Sequence, residues 1–238
     1  MDEFDVMTMD RPATAARPLL GLTVLVVEDS RFASEAMRLL CLRSGARIRR
    51  ADCLGSAHKH LRLYRPSVVV VDLGLPDGSG ADLIEELAHA TPRIDAILGI
   101  SGDTGRESEA LAAGADGFLT KPICSLGMFQ QAILAHLPDT AQPPGPRVVP
   151  DETISPDPIA FLDDIAHVAD VLQTRPDGKM LDYVAQFTSG IARSAYDAPL
   201  EAAAMALAND RAKGQPVRSD VQRLNGMFIE RLADHKVI

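Results

Sequence analysis

SVVVVDLGLPDGSG, residues 67–80, decides the fold. Four consecutive valines are too few and too β-branched for a helix, and they are apolar on both faces. That is the pattern of a strand buried in the middle of a parallel sheet. Asp72 ends the run. The Gly- and Pro-rich tail then turns the chain, and Ser79 or Gly80 opens a helix that reaches about His89. A carboxylate at the carboxyl end of a central parallel strand stands where open α/β sheets hold their ligands.

Upstream, TVLVVE (23–28) is a second continuous apolar run. Asp29 or Ser30 opens a helix with Phe32, Ala36, Leu39, Leu40 and Leu42 as apolar positions, and Gly45 ends it. ARIRRAD (46–52) is a weaker strand, followed by a helix over 54–64 that stops before Pro66. Downstream come the strand AILGIS (96–101), the loop SGDTG, a short helix over 106–113, a turn at Gly114–Asp116, an edge strand at Gly117–Leu119, and a helix over 124–137. Strands and helices alternating five times over about 120 residues predict a doubly wound α/β domain, with right-handed crossovers placing helices on both faces of a five-stranded parallel sheet.

The composition breaks after that domain. Residues 138–158 hold seven prolines and no periodicity, which predicts a stiff, partly extended linker. Beyond it the pattern is helical. A helix beginning near Ser155 carries Phe161, Leu162, Ile165, Val168 and Leu172 on one stripe, and three more cover about 179–191, 199–212 and 219–234. The last carries Val221, Leu224, Phe228, Ile229 and Leu232. Four amphipathic helices make a small all-α bundle whose core gains from pairing with a second copy. The expected organisation is a loose leader over residues 1–20, the α/β domain over 21–138, a linker over 139–154 and the bundle over 155–238.

Charge and cysteine content narrow the function classes. Residues 1–145 carry 14 Lys/Arg against 19 Asp/Glu, and residues 146–238 carry 10 against 14, so neither half attracts nucleic acid on net charge. Cys41, Cys53 and Cys124 have no metal spacing, which points to a reduced, cytoplasmic protein. No apolar run approaches the roughly 20 residues of a membrane span, and the acidic start lacks an export signal core.

Three strand ends carry the chemistry: Glu28-Asp29, Asp72 and Lys121. Two carboxylates beside a backbone carbonyl suit Mg²⁺, a hard cation that takes oxygen ligands. Lys121 supplies a positive charge to a phosphoryl oxygen and Ser101 a hydroxyl to another, so an Asp72 oxygen can attack phosphorus in line. The nucleotide patterns GxxxxGK[ST] and GxGxxG are absent.

VLVVEDS, VVVVDLGLPDGSG, ILGISGD and GADGFLTKP together resemble the receiver domain of two-component response regulators, over about residues 21–138. The resemblance implies a flavodoxin-like strand order 2-1-3-4-5, with Asp72 as phosphoacceptor. Asp29 is then a direct Mg²⁺ ligand, Glu28 acts through water and Gly74 lends its carbonyl. Ser101 and Phe118 become the switch hydroxyl and aromatic, and Lys121 the family's lysine, followed by a cis Pro122. It further implies Mg²⁺-dependent uptake from a sensor histidine kinase or histidine phosphotransfer protein, and autodephosphorylation. Two departures are small: Glu28 replaces the commoner Asp, and Phe118 lacks a tyrosine hydroxyl.

For the helical half, no nucleophile–base set or metal cluster appears, so no separate catalytic domain is expected. His167 lacks the lysine and glycine that follow the histidine of a phosphotransfer domain. The leading expectation is a protein-interaction or dimerisation module giving a homodimer or docking a downstream protein. The alternative is a helix-turn-helix with helices near 199–212 and 219–234, for which Arg211, Lys213, Arg218, Arg223 and Arg231 offer some positive charge.

Overall fold

The computed structural model describes residues 13–174 and 176–234; residues 1–12 of the expected leader and 235–238 of the expected bundle lie outside them. The chain forms two compact units. One runs to Asp29 and resumes over Ala36–Ser155, and the other joins Ser30–Glu35 to the chain from Pro156 onward.

The first unit is a five-stranded parallel sheet of β1 (Thr23–Val27), β2 (Arg47–Ala51), β3 (Val68–Asp72), β4 (Ala96–Ser101) and β5 (Gly117–Thr120). Their spatial order is 2-1-3-4-5, as expected. Between and after them run α1 (Arg31–Ser44), which belongs to this unit from Ala36 onward, α2 (Leu54–Leu63), α3 (Gly80–His89), α4 (Glu107–Ala112) and α5 (Leu126–Leu134). Every residue of β3 and β4 is buried, while edge strand β2 exposes three arginines. The two-residue period of a strand divides the valines between faces. Val24, Val26, Val68 and Val70 pack with Met37, Leu40, Phe129 and Ile133, whereas Leu25, Val27, Val69 and Val71 pack with Leu83, Ile84 and Leu87. Burial on both faces explains the unbroken apolar runs, each fully buried valine contributing about 1.5–3 kcal/mol over an exposed one.

Gly45 ends α1 at φ +89°, and Ala46 N–H returns to Cys41 O at 2.9 Å, the closing bond of a left-handed cap that glycine adopts without Cβ strain. A small antiparallel hairpin, Gly74–Leu75 with Gly78–Ser79, occupies what reads in sequence as a plain turn. Two stretches outside the expected domain limits pack into this unit. Leu19 is fully buried and its N–H reaches Ser44 O at 2.9 Å; Ile154 is buried with its N–H 2.8 Å from Cys124 O.

The second unit contains α6 (Pro158–Gln173), α7 (Gly178–Ser194), α8 (Ala198–Ala212) and α9 (Arg218–Asp234). Its core joins Ile165, Val168 and Leu172, Val184, Phe187 and Ile191, Leu200 and Leu207, and Leu224 and Phe228. The start of α6 differs from the expectation at Ser155. Asp157 is the cap, accepting from Ile159 N–H at 2.9 Å. Pro156 and Pro158 hold the residues before them extended, and Pro158 suits the first helical position, where no N–H is required. Asp177 and Asp197 cap α7 and α8 in the same way, at 2.9 and 3.1 Å from Met180 and Leu200 N–H. Part of the unit's acidity is therefore capping, which favours negative side chains at helix N-termini. Within this unit Asp164, almost wholly buried, accepts from Ser30 Oγ at 2.7 Å, Arg31 N–H at 2.8 Å and Phe32 N–H at 3.0 Å. Among the described residues no helix is long and apolar enough to cross a membrane.

Candidate functional site

Parallel register brings the strand ends level. Val27 pairs with Val71, Asp72 with Ile100 and Ser101 with Thr120, so the residues that follow β1, β3, β4 and β5 meet at one edge. Leu73 N–H reaches Ile100 O at 3.1 Å and Lys121 N–H reaches Ser101 O at 2.9 Å, extending the sheet one residue past each strand.

Glu28, Asp29 and Asp72 each bring a carboxylate oxygen to within 4.8 Å of the others. Lys121 Nζ lies 2.6 Å from Glu28 Oε2 and 2.8 Å from Asp72 Oδ2. Gly74 N–H donates to Asp72 Oδ1 at 3.2 Å. Glu28, Asp72 and Lys121 are all buried, and Asp29 is half-buried. Desolvation pushes the Glu28 carboxyl well above the usual range; Lys121 opposes this, and the charges of Asp72 and Asp29 reinforce it. Burial alone lowers the Lys121 pKa, but Asp72 and Glu28 more than offset it, so the ammonium is held charged. Three carboxylates beside one ammonium leave an excess of negative charge in a poorly solvated place, and a divalent cation relieves it. The donor set, all oxygen, fits a hard ion.

Ser101 is buried at the end of β4, its Oγ accepting from Asp103 N–H at 3.1 Å. Phe118 is half-buried in β5, paired in register with Gly99. The Lys121–Pro122 bond is cis. His167 is exposed on α6, its ring edge-on to Phe187 at 6.0 Å.

Two local supports are not visible in the motif. Asp77, which reads as a turn residue, accepts from Leu54 N–H at 2.8 Å and Gly55 N–H at 3.0 Å, so the hairpin tip caps α2. Gly80 closes the loop by donating to Leu73 O at 3.2 Å, and a Cβ placed on it would stand 1.9 Å from Asp72 O. No side chain fits there without moving the backbone that carries Asp72. Gly80→Ala is expected to lower the unfolding free energy of the full chain by about 2–3 kcal/mol, as overpacking against backbone does. Circular dichroism during urea denaturation measures this; an unchanged midpoint would show that the loop yields freely.

Residues 24–133 match the family described as the response regulator receiver domain. The KDP operon transcriptional regulatory protein KdpE of Escherichia coli is 32% identical over 127 residues, covering 51% of this chain and 55% of that protein. The transcriptional regulatory protein CitB of Klebsiella pneumoniae is 39% identical over 107 residues, 43% of this chain and 45% of that one. The chain thus spans about half the length of the curated relatives it matches. Among solved structures, a putative response regulator from Chloroflexus aurantiacus aligns with TM-score 0.44 at 26% identity, over 48% of this chain and 98% of that one.

Proposed function

We propose that the N-terminal CheY-like receiver domain accepts a phosphoryl group on Asp72 and thereby switches the output of the helical unit. The observation that carries this reading is the constellation of buried Asp72, Glu28 and Lys121 with half-buried Asp29, in which Lys121 Nζ bridges Asp72 and Glu28 at 2.8 and 2.6 Å. In this reading a carboxylate oxygen of Asp72 attacks phosphorus. The O–P bond forms as the bond from phosphorus to the donor's imidazole nitrogen breaks, and the electron pair leaves with the imidazole of a histidine kinase or phosphotransfer protein. Asp29, Asp72 and the Gly74 carbonyl would hold Mg²⁺, with Glu28 acting through water; the ion supplies charge neutralisation for the phosphoryl oxygens. Lys121 holds a second oxygen, and Ser101 and Phe118 shift inward as the site's charge is rebalanced.

For the output, a protein-interaction or dimerisation module is better supported than a helix-turn-helix. Two of the arginines that a DNA-facing surface would need are committed within the bundle. Arg211 forks onto Asp182, with Nη2 at 2.8 Å, and Arg231 forks onto Asp197 at 2.6 and 2.7 Å. Leu224 and Phe228 of α9 are fully buried in the same core.

The test is incubation of the full chain with acetyl phosphate and Mg²⁺, with the modified residue mapped by mass spectrometry after trapping. One phosphoryl group per chain, on the peptide containing Asp72, is expected. No incorporation, or incorporation on another residue, would overturn the assignment. Solution mass with and without beryllofluoride then separates a switched dimer from a constitutive one.

A further inference from the structure

Arg106 closes the short turn Thr104–Arg106 that follows Ser101 and leads into α4. Its Nη2 donates to Leu73 O, the carbonyl directly after Asp72, at 3.3 Å. Nε and Nη2 also fork onto Glu109 at 2.8 Å each, an i,i+3 pair. Among the described residues Nη1 has no acceptor, so one donor edge of the guanidinium is uncommitted. The side chain is 24% exposed, against 9% for Lys121. The Glu109 hydrogen bonds raise the Arg106 pKa; burial opposes them, and the charges of Asp72 and Asp103 add to the rise. Lys121, by contrast, already gives two of its three donors to carboxylates.

A phosphoryl group brings about −1.5 to −2 charges and three strong acceptor oxygens. We propose that Arg106 is a phosphoryl-binding residue. Its free Nη1 edge meets the anionic donor at the mouth of the site and then an oxygen of phospho-Asp72, while Leu73 O and Glu109 hold the fork in place. This rests on Asp72 being the acceptor. Guanidinium suits the task because its planar donors match phosphate oxygens and it stays charged at every working pH. In uptake from acetyl phosphate, the Asp72 O–P bond forms as the phosphorus–oxygen bond to acetate breaks, and acetate carries off the electron pair. Arg106 transfers no proton; it attracts and orients.

The experiment compares the full chain with Arg106→Gln, Arg106→Lys and Glu109→Gln, measuring uptake from dianionic acetyl phosphate and from less charged phosphoramidate, in Mg²⁺, at low and high salt. Arg106→Gln is expected to slow uptake from acetyl phosphate by about tenfold at low salt, chiefly by raising the half-saturating donor concentration. The deficit should shrink near about 0.5 M salt, where screening removes the attraction. It should also be smaller for phosphoramidate. Arg106→Lys should restore most of the rate, and Glu109→Gln, whose amide oxygen still accepts one of the two Arg106 hydrogen bonds, should lower it less than Arg106→Gln does. Equal rates for Arg106→Gln and the unmodified chain overturn the proposal. So does a deficit that is the same for both donors, insensitive to salt and not rescued by lysine, since that pattern marks mere support of the Leu73 loop. If the unmodified chain takes up no phosphoryl group, the Asp72 assignment fails, and this inference with it.

Discussion

Asp72→Asn is expected to abolish phosphoryl uptake while leaving the fold in place. Asparagine has nearly the same shape, so the neighbours of β3 keep their packing. Its amide oxygen can still accept from Gly74 N–H, which donates to Asp72 Oδ1 at 3.2 Å. What disappears is the anionic nucleophile, together with one of the three carboxylates gathered within 4.8 Å. Lys121 retains Glu28 at 2.6 Å, so its charge is not left without a partner. Stability should therefore stay within about 1 kcal/mol of the unmodified chain, the range of a substitution that opens no cavity and strands no charge. Divalent affinity should fall by about tenfold, because ligand charge sets the strength of such sites. Phosphoryl incorporation, denaturant midpoints and Mg²⁺ titration read these effects separately. Retained uptake in Asp72→Asn would place the acceptor elsewhere.

The parallel sheet was legible because its central strands are buried on both faces, so the sequence carries unbroken runs such as Val68–Val71 that no turn or surface helix tolerates. Convergence of Glu28, Asp29, Asp72 and Lys121 follows from that same reading, since parallel strands in register bring their carboxyl ends to one edge. Contacts made by single side chains across long separations left no pattern. The hairpin of Gly74–Leu75 with Gly78–Ser79 is two residues to a strand, too short for any period to show. Asp77 reads as a turn former, and its capping of α2 depends on where Leu54 and Gly55 come to lie. Gly80 reads as turn chemistry too, yet what demands glycine is the carbonyl of Asp72 pressed against it. Arg106 meets Leu73 across 33 residues, and Arg211 and Arg231 find their aspartates across 29 and 34. Such arginines look like free surface charge until the fold supplies their partners. The start of α6 was misplaced because Ser155 and Asp157 are both good caps, and only the two prolines decide between them.

Lys121→Met should have the largest effect on stability. Methionine fills similar volume in the first unit, so the cost is electrostatic and not a cavity. Glu28 and Asp72 then stand buried without their shared cation, and removing one partner of a buried pair costs about 3–5 kcal/mol. The pH dependence follows from the carboxyl groups. Burial already holds Glu28 above its ordinary pKa, and without Lys121 it rises further. An acid whose folded pKa exceeds its unfolded pKa costs nothing while protonated in both states. It destabilises progressively as pH climbs past the ordinary carboxylate value of about 4.3, until the folded pKa is passed. In the unmodified chain the raised Lys121 pKa acts in the opposite sense. Its stabilisation is fully present below the ordinary lysine value of about 10.4 and is lost only above it. The gap between Lys121→Met and the unmodified chain should therefore widen from pH 5 to pH 8. Added Mg²⁺ should narrow it by neutralising the same carboxylates. Uptake from acetyl phosphate should fall by about 100-fold even with Mg²⁺ present, as for loss of one preorganised charge-stabilising donor. Urea denaturation across that pH range, with and without Mg²⁺, is the measurement. A gap that does not change with pH would mean that Lys121 acts by packing and not by charge.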